Sequence, residues 1–159
     1  MQSSVAQFPI TDNAVHNFRR WVKKPKDCVI NAMELLQCLD SRTADICRIM
    51  VGDIGLQTAQ IEQIFSLLHP SNYWKFVKFP DLRTLEYITQ QELRPGKAMF
   101  CGYAGSNTRH VFLIAKSLNG DIMYVDPHVN TLCALHDPRC VQYIEKQRMY
   151  YVLQHARIA

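Results

Sequence analysis

A cysteine attacks as its thiolate, and it needs a neighbour to take its proton and a third group to hold that neighbour in place. Cys28, His110 and Asp126 suit these three parts. Asp27 is a favoured N-cap residue, so Cys28 is expected at the first position of a helix, where unpaired backbone N–H groups and the macrodipole favour negative charge. A basic cluster just upstream, Arg19, Arg20, Lys23, Lys24 and Lys26, adds to that field; read blandly, it is a solvated face. His110 opens one strand and Asp126 closes the next. A tight turn between them would bring imidazole and carboxylate side by side across the ladder at one end of a hairpin.

Taken singly, each residue has an ordinary reading: Cys28 as a small buried apolar residue, His110 as a surface histidine, Asp126 before Pro127 as a turn former. The remaining cysteines lack the setting of Cys28. Cys38 and Cys47 lie in helical apolar patterns, Cys101 in a strand, and Cys133 and Cys140 in an irregular tail, all consistent with packing. Among the histidines, His16 and His155 lie near the termini, His69 precedes Pro70 and His136 sits in a loop; His128 alone competes with His110 as the base. Cys133, His136 and Cys140 have short spacings that zinc could use, but with no CxxC pair they make a poor metal site, and none is expected. Gly102, Gly105 and Gly120 form neither GxGxxG nor a P-loop, which argues against ATP or NAD. No cofactor is expected.

The elements that must position these residues can be read from periodicity and turn chemistry. Val15, Phe18, Trp21 and Val22 recur at helical spacing up to Pro25. Val29, Ile30, Ala32, Met33, Leu35, Leu36 and Leu39 then give an apolar face too broad for a surface helix, which predicts a buried central helix beginning at Cys28. Ala44, Ile46, Ile49 and Met50 suggest a third helix, closed by Gly52 and Gly55. A fourth, with Ile61, Ile64, Phe65 and Leu68, starts near Thr58 and stops at Pro70.

From Tyr73 to Phe79 the residues turn β-rich, and Pro80-Asp81 starts a short helix or turn carrying Leu82, Leu85 and Ile88. Strands are expected over 97–104, 110–116 and 121–126. The Asn119-Gly120 pair joins the last two as a tight hairpin. A short strand over 131–135, a turn or helix over 138–146 and a buried strand over 148–154 complete the chain. Helices before about residue 70 and strands after about 73 make an α+β arrangement in one domain, 1–159.

The chain has 159 residues, 48% of them hydrophobic and 20% charged, with a net charge of +4. That length buries roughly 70% of the unfolded surface, enough for one core without staples. Composition rules out intrinsic disorder. The first twenty residues contain no apolar run of signal length, and no stretch reaches 18 apolar residues, so neither secretion nor membrane insertion is expected. The six cysteines are then expected to be reduced thiols, and the protein cytoplasmic.

In order and context these residues resemble the papain-like cysteine hydrolase superfamily. The likeness rests on Asp27-Cys28 opening a buried helix, then His110-Val111-Phe112-Leu113-Ile114, then Asn119-Gly120-Asp121-Ile122-Met123-Tyr124-Val125-Asp126-Pro127. The resemblance implies N-terminal helices, one of them central, packed on a small antiparallel sheet. It implies a peptidase, isopeptidase or deamidase acting through a Cys28 thioester, with His110 as base and Asp126 orienting it. The superfamily's oxyanion glutamine, a few residues before the cysteine, has no counterpart, so that role falls to backbone N–H groups at the helix start or to Asn13 or Asn17. The alternative is a catalytically inactive papain-like module with a binding or structural role in a virion or other large assembly, with Tyr73, Trp74 and Phe76 as an edge strand for partner pairing. On either reading the partner is a protein; binding of nucleic acid through Arg19 to Lys26 is a third, weaker reading.

Overall fold

The hairpin that follows His110 closes as its turn chemistry demands. In the computed structural model, which describes residues 3–10, 28–51, 56–104, 109–126, 131–134 and 149–158, Gly120 takes a φ of 92°, which glycine adopts without steric cost. The Ser117 carbonyl accepts from Gly120 N–H (3.0 Å), and Ser117 N–H donates to the Asp121 carbonyl (2.9 Å). Strands β5 (Arg109–Lys116) and β6 (Ile122–Asp126) leave this turn antiparallel, with Leu113 opposite Val125 and Lys116 opposite Ile122.

The hairpin sits within a sheet of eight antiparallel strands among the described residues. β1 (Ser4–Val5), β2 (Gln7–Pro9), β3 (Asn72–Phe79), β4 (Lys97–Ala104), β7 (Thr131–Ala134) and β8 (Met149–Arg157) complete it. The main path runs β1-β8-β4-β5-β6-β7, with β3 on the other side of β8. The sheet is therefore larger than the small one expected, and the first half of the chain is not purely helical. β1 and β2 were not foreseen: each is too short to show a period of two. They fill the gap where β8 and β4 diverge, Val5 pairing with Gln154 and Gln7 with Met99.

Four helices accompany the sheet among the described residues: α1 (Cys28–Leu35), α2 (Ser41–Val51), α3 (Thr58–Leu68) and α4 (Leu82–Glu92). The expected central helix is α1, and Val29, Ile30, Ala32, Met33, Leu35, Leu36 and Leu39 are all buried. On its side of the sheet, a core of Phe65, Trp74, Phe76, Phe100, Leu113 and Leu153 packs against α1 and α3. The opposite face carries Leu85 of α4 with Met99, Phe112, Tyr124, Tyr150 and Val152. β8 supplies both layers, which explains its continuous apolar run. Asp81 starts α4 as expected, accepting from Thr84 N–H (2.8 Å).

α2 forms where its pattern predicts, but Ile46, Ile49 and Met50 are exposed, while Ala44 and Arg48 are buried. A buried polar network explains that rotation. Arg48 donates to Asn31 Oδ1 of α1 from Nη2 (2.7 Å) and pairs with Glu34 (2.9 Å) and Asp45 (2.8 Å). The guanidinium ties α2 to the helix that carries Cys28. The amphipathic segment expected around Val15 to Val22, the basic cluster, the Asp27 cap, the glycine stops at 52 and 55 and the element over 138–146 lie outside the described residues.

Candidate functional site

Cys28 is the first residue of α1 and partly buried against the core. His110 stands at the second position of β5 and Asp126 at the last position of β6. The fold brings the three together. His110 Nε2 contacts Asp126 Oδ2, and Cys28 lines the same cleft as the imidazole, near enough to raise its pKa. With Nε2 engaged by the carboxylate, Nδ1 is the ring nitrogen that can face the sulfur.

The meeting is less direct than the expected face-to-face ladder pair. The ladder pairs Leu113 with Val125; continued by one residue it carries Asp126 opposite Phe112, so His110 lies diagonally across. Residues two apart on a strand share a face, and Phe112 and Tyr124 belong to the layer away from α1. Cys28 belongs to the other layer. The contact is thus closed around the end of the sheet, where the second residue of β5 is within reach of both layers.

Asp126 is 1% exposed, so its charge needs partners. It has two on Oδ2: His110 and the Tyr124 hydroxyl, which donates at 2.9 Å. Burial, and then the adjacent carboxylate, push the Tyr124 phenol far above its ordinary range and keep it a donor. Burial is also the largest influence on His110 and disfavours its cation. The hydrogen bonds and charges of Asp126 and Cys28 outweigh it and raise the imidazole from its ordinary 6.5 to about 9. Near neutral pH His110 is an imidazolium clamped between a carboxylate and a sulfur. Tyr103, its partner on β4, packs beside it with ring centroids 5.5 Å apart.

The other described cysteines have no such company. Burial pushes the Cys38 thiol up to about 11 and the Cys101 thiol higher still, and Cys47 packs against the core. All four described thiols are free. The side chains of His128, Cys133, His136 and Cys140, and of Asn13 and Asn17, lie outside the described residues; among the described ones no cluster of His, Cys, Asp and Glu could hold a metal. No described helix is long and apolar enough to cross a membrane.

A cleft of about 240 Å³ opens beside Cys28 and His110. Its floor is one cross-strand row, Lys78 opposite Tyr151, Tyr151 opposite Gly102, and Gly102 opposite Val111; all four residues line it. Gly102 makes the depression: a Cβ there would stand 3.2 Å from the His110 carbonyl oxygen and 4.0 Å from Tyr151 Cβ. Sequence reasoning missed Gly102, Lys78, Tyr103 and Tyr124. Two signals were present: a glycine inside a strand marks a close approach, and Tyr124 lies two residues from Asp126 on the same face.

β3 pairs only with β8 among the described residues, so Tyr73, Trp74 and Phe76 do lie on an edge strand. Yet Trp74 and Phe76 are core side chains, and the Phe76 N–H donates to the Glu62 carboxylate of α3 (2.8 Å). That cap covers part of the edge. Neither a protein-family model nor any curated protein matches this chain.

Proposed function

We propose that this protein is a thiol-dependent hydrolase of papain-like fold that cleaves amide bonds in proteins through a Cys28 thioester. One observation carries the reading: a single, largely buried imidazole contacts a buried carboxylate and shares a cleft with Cys28, near enough for that residue to raise its pKa. The layout around it agrees, with the cysteine opening a buried helix and the histidine and aspartate on successive strands of an antiparallel sheet.

The steps follow from the groups present. In the resting site the Cys28 proton already sits on His110, whose imidazolium pairs with the sulfur anion. The sulfur attacks the substrate carbonyl, and backbone N–H groups at the start of α1 receive the oxyanion. His110 then protonates the leaving nitrogen, the C–N bond breaks, and an acyl-thioester remains. Water, giving a proton to His110, attacks that thioester and releases the acid and the thiol. Asp126, held by Tyr124, orients the ring and stabilises its cation throughout.

The test is alkylation by chloroacetamide near pH 6, where ordinary thiols are protonated, with the modified residue located by mass spectrometry. Selective labelling of Cys28 that is lost in His110→Ala supports the hydrolase. Uniform slow labelling of several cysteines, unaffected by that change, supports instead an inactive module with a binding or structural role.

A further inference from the structure

The cleft beside Cys28 has a chemistry of its own. Its walls above the Tyr151–Gly102–Val111 floor are mostly apolar, from Val29, Leu56, Ile61 and Phe76, with Gln57 and Thr58 at the start of α3 adding a polar rim. At about 240 Å³ it falls below the roughly 300–1,000 Å³ of small-molecule and cofactor sites. It suits one side chain of a bound peptide. One end of the floor row is Lys78, exposed, with no carboxylate among the described lining residues and no ion pair to any described residue. His110, the other cation of the cleft, is already matched by Asp126. The ammonium of Lys78 is therefore the charge left to meet a ligand, and its place in the row sets it beside Tyr151, with β8 between it and Gly102.

Resting on the hydrolase reading, we propose that this cleft selects the substrate: it seats a bulky apolar side chain over Gly102 and pairs a neighbouring Asp or Glu of the same peptide with Lys78. The substrates are accordingly protein segments in which a large apolar residue adjoins an acidic one close to the cleaved amide. The apolar contact supplies most of the discrimination, because burying extra methylenes in a pocket is worth about 10-fold or more in rate. Lys78 is exposed, and an exposed ion pair gives about three- to fivefold.

The experiment compares peptidyl chloromethyl ketones on the intact protein, in which the Cys28 sulfur forms a C–S bond and chloride leaves. Three probes carry Glu-Phe, Lys-Phe and Glu-Ala before the ketone-bearing residue, and chloroacetamide reports the reactivity of Cys28 alone. Glu-Phe should react about 10-fold or more faster than Glu-Ala and about three- to fivefold faster than Lys-Phe. Lys78→Glu should reverse the order of Glu-Phe and Lys-Phe, and Lys78→Met should level it, each peptide rate being taken relative to the same variant's chloroacetamide rate. Rates equal within about twofold across the three peptides, while chloroacetamide labelling still depends on His110, overturn the selectivity and leave the hydrolase standing. Chloroacetamide labelling indifferent to His110→Ala overturns both together.

Discussion

Asp126→Asn tests the relay at its anchor. The carboxamide keeps the shape of the carboxylate and leaves an acceptor for the Tyr124 hydroxyl, so the packing around this 1%-exposed residue survives while its charge disappears. Alanine would be a poorer choice, because it orphans a buried hydroxyl at a cost of about 1–3 kcal/mol. In the native protein Asp126 and Cys28 hold His110 at about 9 against the downward pull of burial. With the carboxylate gone, Cys28 alone opposes burial and the imidazole falls from about 9 towards its ordinary 6.5, at which its protonated fraction near pH 7.5 would be roughly tenfold lower. A second consequence concerns stability. A histidine raised from 6.5 to about 9 stabilises the fold fully below 6.5 and loses that contribution as pH rises through about 9. At about 1.4 kcal/mol for each tenfold in proton affinity, the loss amounts to about 3 kcal/mol. NMR titration of the His110 ring and urea unfolding near pH 6 and pH 9.5 measure both quantities. Native protein should lose more over that interval than Asp126→Asn, by at most about 3 kcal/mol, the share due to Cys28 being common to both. A variant whose His110 still titrates near 9, or whose unfolding shows the native pH dependence, would refute the assignment of Asp126 as the source of the raised value.

Arg48→Met leaves Glu34 and Asn31 buried without their cation, which should cost about 3–5 kcal/mol in urea unfolding and loosen α1, so that Cys28 labelling no longer depends on His110. Phe65→Ala removes a fully buried ring that contacts Phe8, Trp74 and Phe100, and a loss of about 3–5 kcal/mol is expected by the same assay. Gly102→Val fills the cleft floor and presses on the His110 carbonyl; it should cost about 1–3 kcal/mol and slow the Glu-Phe probe far more than chloroacetamide. Cys38, its thiol held up to about 11 by burial, should remain unmodified near pH 6 while Cys28 reacts, and equal modification of both would count against the special position of Cys28.

The features legible along the chain were local. The run from Val29 to Leu35 buried as a helix, with Leu36 and Leu39 following it into the core beyond the helix end, the Asn119-Gly120 turn required a hairpin between His110 and Asp126, and Asp81 fixed the start of α4. Such features follow from side-chain period and turn chemistry within a few residues. The tertiary structure decided which rows of the sheet face which layer. It inserted β1 and β2 between diverging strands, turned Ile46, Ile49 and Met50 outward because Arg48 found Asn31 and Glu34, and aligned Lys78, Tyr151 and Gly102 beneath the cleft. It also carried Cys28 to His110 around the sheet end. None of these is written in a local period, because the register between distant strands is set by the total burial of many residues at once, and a shift of one residue would send every side chain to the other face.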